Sequence, residues 1–188
     1  MINKHNFARP ILYLAITTGL LLLIPLIAMQ FTIEVNWTLS DFIFAGILIF
    51  GAGLAYIIIS RKSETLIYRV AVGFALFTGF FLIWSNLAVG LIGSENNEIN
   101  LLYFLVIGVG VVGAFLTKFK AKGLMYTLIA MATAQMIITI TALLIGMSEV
   151  PGSSVYEILF VNGFFITLFL VGALLFRSAA DPEINAEI

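Results

Sequence analysis

LLYFLVIGVGVVGAFLTKFKAKGLMYTLIAMATAQMIITITALLIGM, residues 101–147, is the stretch that decides the fold class. Leu101–Thr117 is apolar and free of charge, Lys118, Lys120 and Lys122 follow within a few residues, and Met125–Met147 is apolar again. A membrane-spanning helix needs about 20 mainly apolar residues. A strand of a membrane barrel would alternate polar and apolar side chains, and these runs do not. Two such runs around a basic turn read as a helical membrane hairpin. The same reading extends outward to Ile11–Phe31, Phe42–Ile59, Tyr68–Ile92 and Tyr156–Phe176. The sequence therefore predicts an all-α membrane protein: a single domain over residues 1–177, built as a six-transmembrane-helix bundle of three helix hairpins. Residues 178–188 are polar, contain Pro182 and are expected to form a disordered cytoplasmic tail.

Composition excludes the soluble alternatives. Of 188 residues, 62% are hydrophobic and 10% charged, too little polar surface for a soluble domain. The formal charge of −1 offers no bulk attraction to nucleic acid, and the absence of cysteine excludes disulfides and thiol chemistry. The first apolar run is too long for a signal-peptide core and has no A-x-A cleavage site, so it reads as a retained helix.

Loop charge fixes an expected orientation, because Lys and Arg gather on the cytoplasmic side. Lys4 and Arg9 precede the first span, Arg61, Lys62 and Arg69 surround the second loop, and Arg177 ends the last span. The intervening loops hold acids instead: Glu34 and Asp41, Glu95 and Glu98, Glu149 and Glu157. Both termini are thus expected in the cytoplasm of a cell whose inner membrane holds the protein.

The three hairpins also suggest an internal repeat. Tyr13, Tyr68 and Tyr126 open the odd spans, and VGAFLTK (Val112–Lys118) matches VGALLFR (Val171–Arg177). Such repeats would run parallel rather than inverted. Alternating helix ends alone would also produce periodic charges. Because the loops are short, sequential helices are expected to pack as antiparallel neighbours.

Polar side chains within the spans are the candidate functional groups. Ala75, Gly79, Asn86, Gly90 and Gly93 fall on one face of the third span and are expected inward, with Leu82 toward lipid. Gly110, Ala114 and Thr117 mark the fourth span, and Ala132, Gln135, Thr139 and Ala142 the fifth. Small residues let helix backbones approach closely, and amides hydrogen-bond across the contact. Asn86 and Gln135 either hold the bundle together in this way or line a solute path. Asp41, Glu98 and Glu157 open helices, where a carboxylate satisfies free N–H groups; a cation-concentrating ring is the sharper alternative. Trp37, Trp84, Tyr103 and Tyr156 at one end, with Tyr13, Tyr68 and Tyr126 at the other, read mostly as interfacial anchors. Pro25 breaks the bonding of the first span, with Thr17 and Thr18 near enough to help the freed carbonyl.

No ionisable residue sits centrally in any span, although such groups usually mark proton relays and charged-solute paths. The one histidine, His5, lies in the N-terminal tail. Histidine metal sites, haem ligation by paired histidines and a Ser-His-Asp triad are therefore excluded, and no cofactor is expected.

WSNLAVGLIGSE (Trp84–Glu95), NLLYF (Asn100–Phe104), NGFF (Asn162–Phe165) and ALLFR (Ala173–Arg177) together resemble an uncharacterised bacterial family of small polytopic membrane proteins. The resemblance covers the third to sixth spans. The family pattern has an Asp-Asn-Pro-like turn where this chain reads Asn96-Asn97-Glu98, and an Arg/Pro-rich loop where it reads FKAKG. The resemblance implies no activity, but it singles out Trp84, Asn86, Glu95, Asn100 and Asn162 as a candidate polar site. The leading expectation is a non-enzymatic structural or accessory bundle whose partners are membrane lipids, another protein or a second copy of the chain. A small channel or transporter for a neutral solute is the alternative. A lipid-acting enzyme using Glu95 and Glu98 with Asn86 is third.

Overall fold

A computed structural model describes residues 7–181; Lys4, His5 and the tail beyond Asp181 lie outside the described residues. These residues form six α-helices: α1 (Ala8–Phe31), α2 (Leu39–Ile59), α3 (Leu66–Ala88), α4 (Leu102–Leu116), α5 (Ala121–Leu144) and α6 (Val155–Ala180). There is no strand among the described residues. All six, the fourth taken together with the 3-10 turn Glu98–Leu101 that leads into it, are long and apolar enough to cross a membrane, so the chain is an all-α, multi-pass membrane protein.

α2 and α6 begin earlier than hydropathy places them, because a polar capping turn precedes each and belongs to the helix and not to the apolar run. Before α2, the Thr38 backbone N–H donates to the Asp41 carboxylate (2.7 Å) while the Thr38 Oγ1 accepts from the Asp41 N–H (3.4 Å), the reciprocal arrangement of a capping box; the Thr38 hydroxyl also donates to the same carboxylate at 2.8 Å. Before α6, the Ser154 Oγ accepts from the Glu157 N–H at 3.1 Å. Asp41 and Glu157 thus sit in first turns, as the capping reading expects. At its other end α6 continues to Ala180, so Ser178–Ala180 are helical and not part of a tail.

The chain divides into two compact units, residues 1–59 and 60–188. In the first, α1 and α2 are antiparallel: Gly53 lies against Leu14, and Gly46 against Leu22. Pro25 lies inside α1, but Thr18 relieves nothing there, since its buried Oγ1 has no partner.

In the second unit α5 is central, packing on α4 and α6, while α3 packs chiefly on α6 and only slightly on α4. The long segment 89–101 releases α3 from its sequence neighbour, whereas the tight turn at 117–120 holds α4 to α5. The expected stripe of α5, Ala132, Gln135, Thr139 and Ala142, is buried throughout. Glycines admit the close approach of neighbouring helices. A Cβ at Gly113 would lie 2.6 Å from Thr127, and one at Gly172 would lie 2.9 Å from Leu128. These are the glycines of VGAFLTK and VGALLFR, so the two matching segments contact α5 at adjacent residues.

The side chains show which loops share an end. Tyr68 at the start of α3 donates its hydroxyl to the Phe119 carbonyl at 2.6 Å and packs edge-on against Phe176 of α6. Lys62 lies 5.8 Å from the centre of the Phe119 ring. The basic segments therefore meet at one end. At the other, Gly93 approaches Val150, and the Asn97 Nδ2 lies 3.7 Å from the Met147 sulfur, joining the acidic loops. The α4–α5 turn places Lys118 and Phe119 at φ of 54° and 60°, a left-handed conformation costing roughly 1–2 kcal/mol per residue without glycine. The Tyr68 bond holds that turn.

Candidate functional site

Two knots of buried polar groups organise the second unit near its acidic end. The first closes α3. Helix geometry stops at Ala88, not at Ile92 as hydropathy predicts, and Gly90 and Gly93 lie beyond it at φ of 73° and 67°. They belong to a turn and not to the inward face assigned to them. Asn100 shapes that turn from below. Its Oδ1 accepts the N–H groups of Leu91 and Ile92, each at 3.1 Å. Its Nδ2 donates to the carbonyls of Ile92 (3.2 Å) and Ser94 (2.9 Å). Asn86, in the last turn of α3, donates its Nδ2 to the Asn100 carbonyl at 3.0 Å. One side chain thus supplies the four backbone partners that let Leu91 and Ile92 stay buried.

The second knot joins three helices. Asn162 of α6 accepts at Oδ1 from the Tyr103 hydroxyl of α4 (2.9 Å) and from the Gln135 Nε2 of α5 (3.0 Å). Its own Nδ2 donates to the Ile158 carbonyl, one turn earlier, at 2.8 Å. Tyr103 is only 2% exposed and Gln135 and Asn162 are 0%. Tyr103 follows Asn100 by one helical turn, so the knots adjoin. Two acceptors have no partner, Asn86 Oδ1 and Gln135 Oε1.

The five residues singled out by sequence therefore separate. Asn86 and Asn100 are bonded to each other, and Asn162 belongs to the second knot. Trp84 is stacked on Phe80, with ring centres 5.7 Å apart. Glu95 is on the surface, accepting from the Asn96 Nδ2 at 3.1 Å. No bond joins the Glu95 or Glu98 carboxylate to the Asn86 amide. Tyr103 is the partner that sequence reading missed: it and Tyr68 are buried against neighbouring helices, whereas Tyr13, Tyr126 and Tyr156 are exposed. An amide at Asn162, two turns into an apolar helix, was the available signal that a donor must lie opposite.

Leu82 also departs from expectation, being 0% exposed. It lies one turn before Asn86, so the face that carries Asn86 inward carries Leu82 with it. Beside it, Phe81 packs against Phe164 and Phe165 of α6. Above these rings a cleft of about 310 Å³ opens between α3 and α6, lined by Phe81, Ser85, Gly90, Glu157, Phe160 and Phe164 among others. None of Asn86, Asn100, Gln135 and Asn162 lines it.

The knots contain amides, a phenol and backbone groups. They lack a nucleophile paired with a base, and no cluster of three His, Cys, Asp or Glu able to hold a metal occurs among the described residues. Their chemistry is that of fixing helix ends and helix register. No family model, curated protein or solved structure matches the chain.

Proposed function

We propose that this chain is a non-enzymatic protein of a bacterial cytoplasmic membrane, with its basic end and both termini in the cytoplasm, acting through contacts with lipid or a partner protein. One observation carries this reading: the buried amides of the second unit are bonded to one another and to backbone, and no charged side chain is buried among the described residues. Intramembrane sites that move protons or charged solutes need ionisable groups. Amides that bond pairwise across helices are a packing device.

A second reading, a pathway for a neutral solute, draws on the unpartnered acceptors Asn86 Oδ1 and Gln135 Oε1. One experiment separates the two. The full chain is reconstituted in liposomes, and glycerol and urea entry is followed by stopped-flow light scattering. The packing reading expects rates equal to those of empty liposomes. Entry above that baseline, abolished by Asn162→Leu, would establish the pathway instead.

A further inference from the structure

We propose that the groove between α5 and α6 at the basic end binds an anionic phospholipid, its phosphate between Lys122 and Arg177. This deepens the reading above by naming a lipid class and its site. The groove measures about 850 Å³ and lies within the second unit. Lys122 and Arg177 stand at its mouth with Tyr126, and Ile129, Leu170 and Leu174 form its apolar wall.

The two helices present the same sequence of chemistry in opposite chain directions. Ile129 lies seven residues after Lys122 on α5, and Leu170 lies seven before Arg177 on α6. At 1.5 Å per residue, each wall runs about 10 Å from a cation to a branched aliphatic side chain. A phospholipid has that pattern, a charged head followed by a chain, and a free phosphate does not. Tyr126, 58% exposed, lies between cation and wall, the depth at which a phenol favours the headgroup boundary. Asp181 also lines the groove. Two cations and one carboxylate leave a net charge of +1, which selects an anion over a zwitterion. Basic pockets between spanning helices suit anionic headgroups on this physical ground.

The test uses the full chain in detergent. Dioleoyl phosphatidylglycerol or dioleoyl phosphatidylcholine is titrated in, and thermal unfolding is followed by tryptophan fluorescence. Phosphatidylglycerol is expected to raise the unfolding temperature saturably and phosphatidylcholine not to. Lys122→Gln and Arg177→Gln are each expected to weaken the phosphatidylglycerol response about fivefold, and Asp181→Asn to strengthen it by a similar factor. Lys118→Gln, in the basic turn but outside the groove, is expected to leave it unchanged. The proposal is overturned if the two lipids act alike, if Lys118→Gln weakens the response as much as Lys122→Gln, or if glycerol phosphate alone reproduces it. A wild-type dimer that Lys122→Gln converts to monomer would assign the groove to a second copy and also overturn it. Should either cationic variant fail to fold, the sign of the Asp181→Asn effect decides. Failure here without glycerol flux in liposomes removes the groove assignment and leaves the packing reading standing. Flux removes that reading whatever the lipids do.

Discussion

Asn100 and Gln135 are both buried amides, yet their replacement has different expected costs. Asn100 satisfies four backbone groups of the 91–94 turn. Asn100→Ala leaves those groups without partners in an apolar setting, where each unsatisfied group costs about 1–3 kcal/mol before relaxation. A loss of about 3 kcal/mol or more is expected, read from reversible unfolding in mixed micelles. Gln135→Leu removes one bond and also removes an acceptor that has no partner. Interhelical side-chain bonds in membranes average about 0.6 kcal/mol, so a change below about 1 kcal/mol is expected. Tyr103→Phe should be similarly mild, because the Asn162 Oδ1 keeps its bond from Gln135. The double variant strips that oxygen of both donors, and its cost should exceed the sum of the singles. Additive losses would mean that the three residues do not act as one knot. Gln135 and Asn162 were visible in the sequence as amides in apolar runs, but their pairing was not. It spans 27 residues of chain, and hydropathy reports depth without naming a partner across the bundle.

At the scale of the helix, the end of α3 shows where reading by hydropathy runs out. Val89, Leu91 and Ile92 prolong the apolar run, so the span reads through to Ile92, whereas the helix closes at Ala88. The device that closes it comes from Asn100, beyond the reach of a local pattern. Gly90 was the one local sign. A Cβ there would lie 2.6 Å from the Ser94 backbone in a left-handed conformation, so Gly90→Ala is expected to destabilise by more than 1 kcal/mol. Gly108, in the middle of α4, has no atom within 4 Å of an added Cβ. Gly108→Ala should therefore be neutral or stabilising by up to about 1 kcal/mol through helix propensity. Both follow from the same unfolding measurement, and equal effects would show that the 90–94 turn is not as tight as its geometry implies. The inward stripe of α5 was fully legible because small and polar residues repeat there at helical spacing. On α3 the same reasoning placed Asn86 inward, but Ala75 and Gly79 are only half-buried, Gly90 and Gly93 lie beyond the helix, and Leu82 was excluded, since a leucine carries no sign of which way it points. Leu82→Ala should cost on the order of 2–5 kcal/mol, as for other buried leucines.

For the whole molecule, the open quantity is direction across the bilayer, and the contacts make its test redundant within the second unit. Segments 89–101 and 147–154 meet at one end, while Tyr68, Phe119 and Phe176 meet at the other. Labelling at one acidic loop therefore commits the other, and a chain without native cysteine gives a clean background. Asn96 and Glu149 are suitable sites because both are exposed. Asn97 and Gly152 are not, since Asn97 accepts from the Ile99 N–H and Gly152 has φ of 78°. A membrane-impermeant maleimide added to intact cells is expected to label Asn96→Cys and Glu149→Cys. Lys120→Cys should react only after permeabilisation, because Lys118, Lys120 and Lys122 crowd one turn and such clusters stay cytoplasmic. The first unit needs its own probe, and Glu34→Cys in the α1–α2 loop is expected to react from outside. Labelling of Lys120→Cys in intact cells would invert the second unit. Protection of Glu34→Cys alongside reactive Asn96→Cys would instead set the two units in opposite directions, which the alternating loop charges argue against.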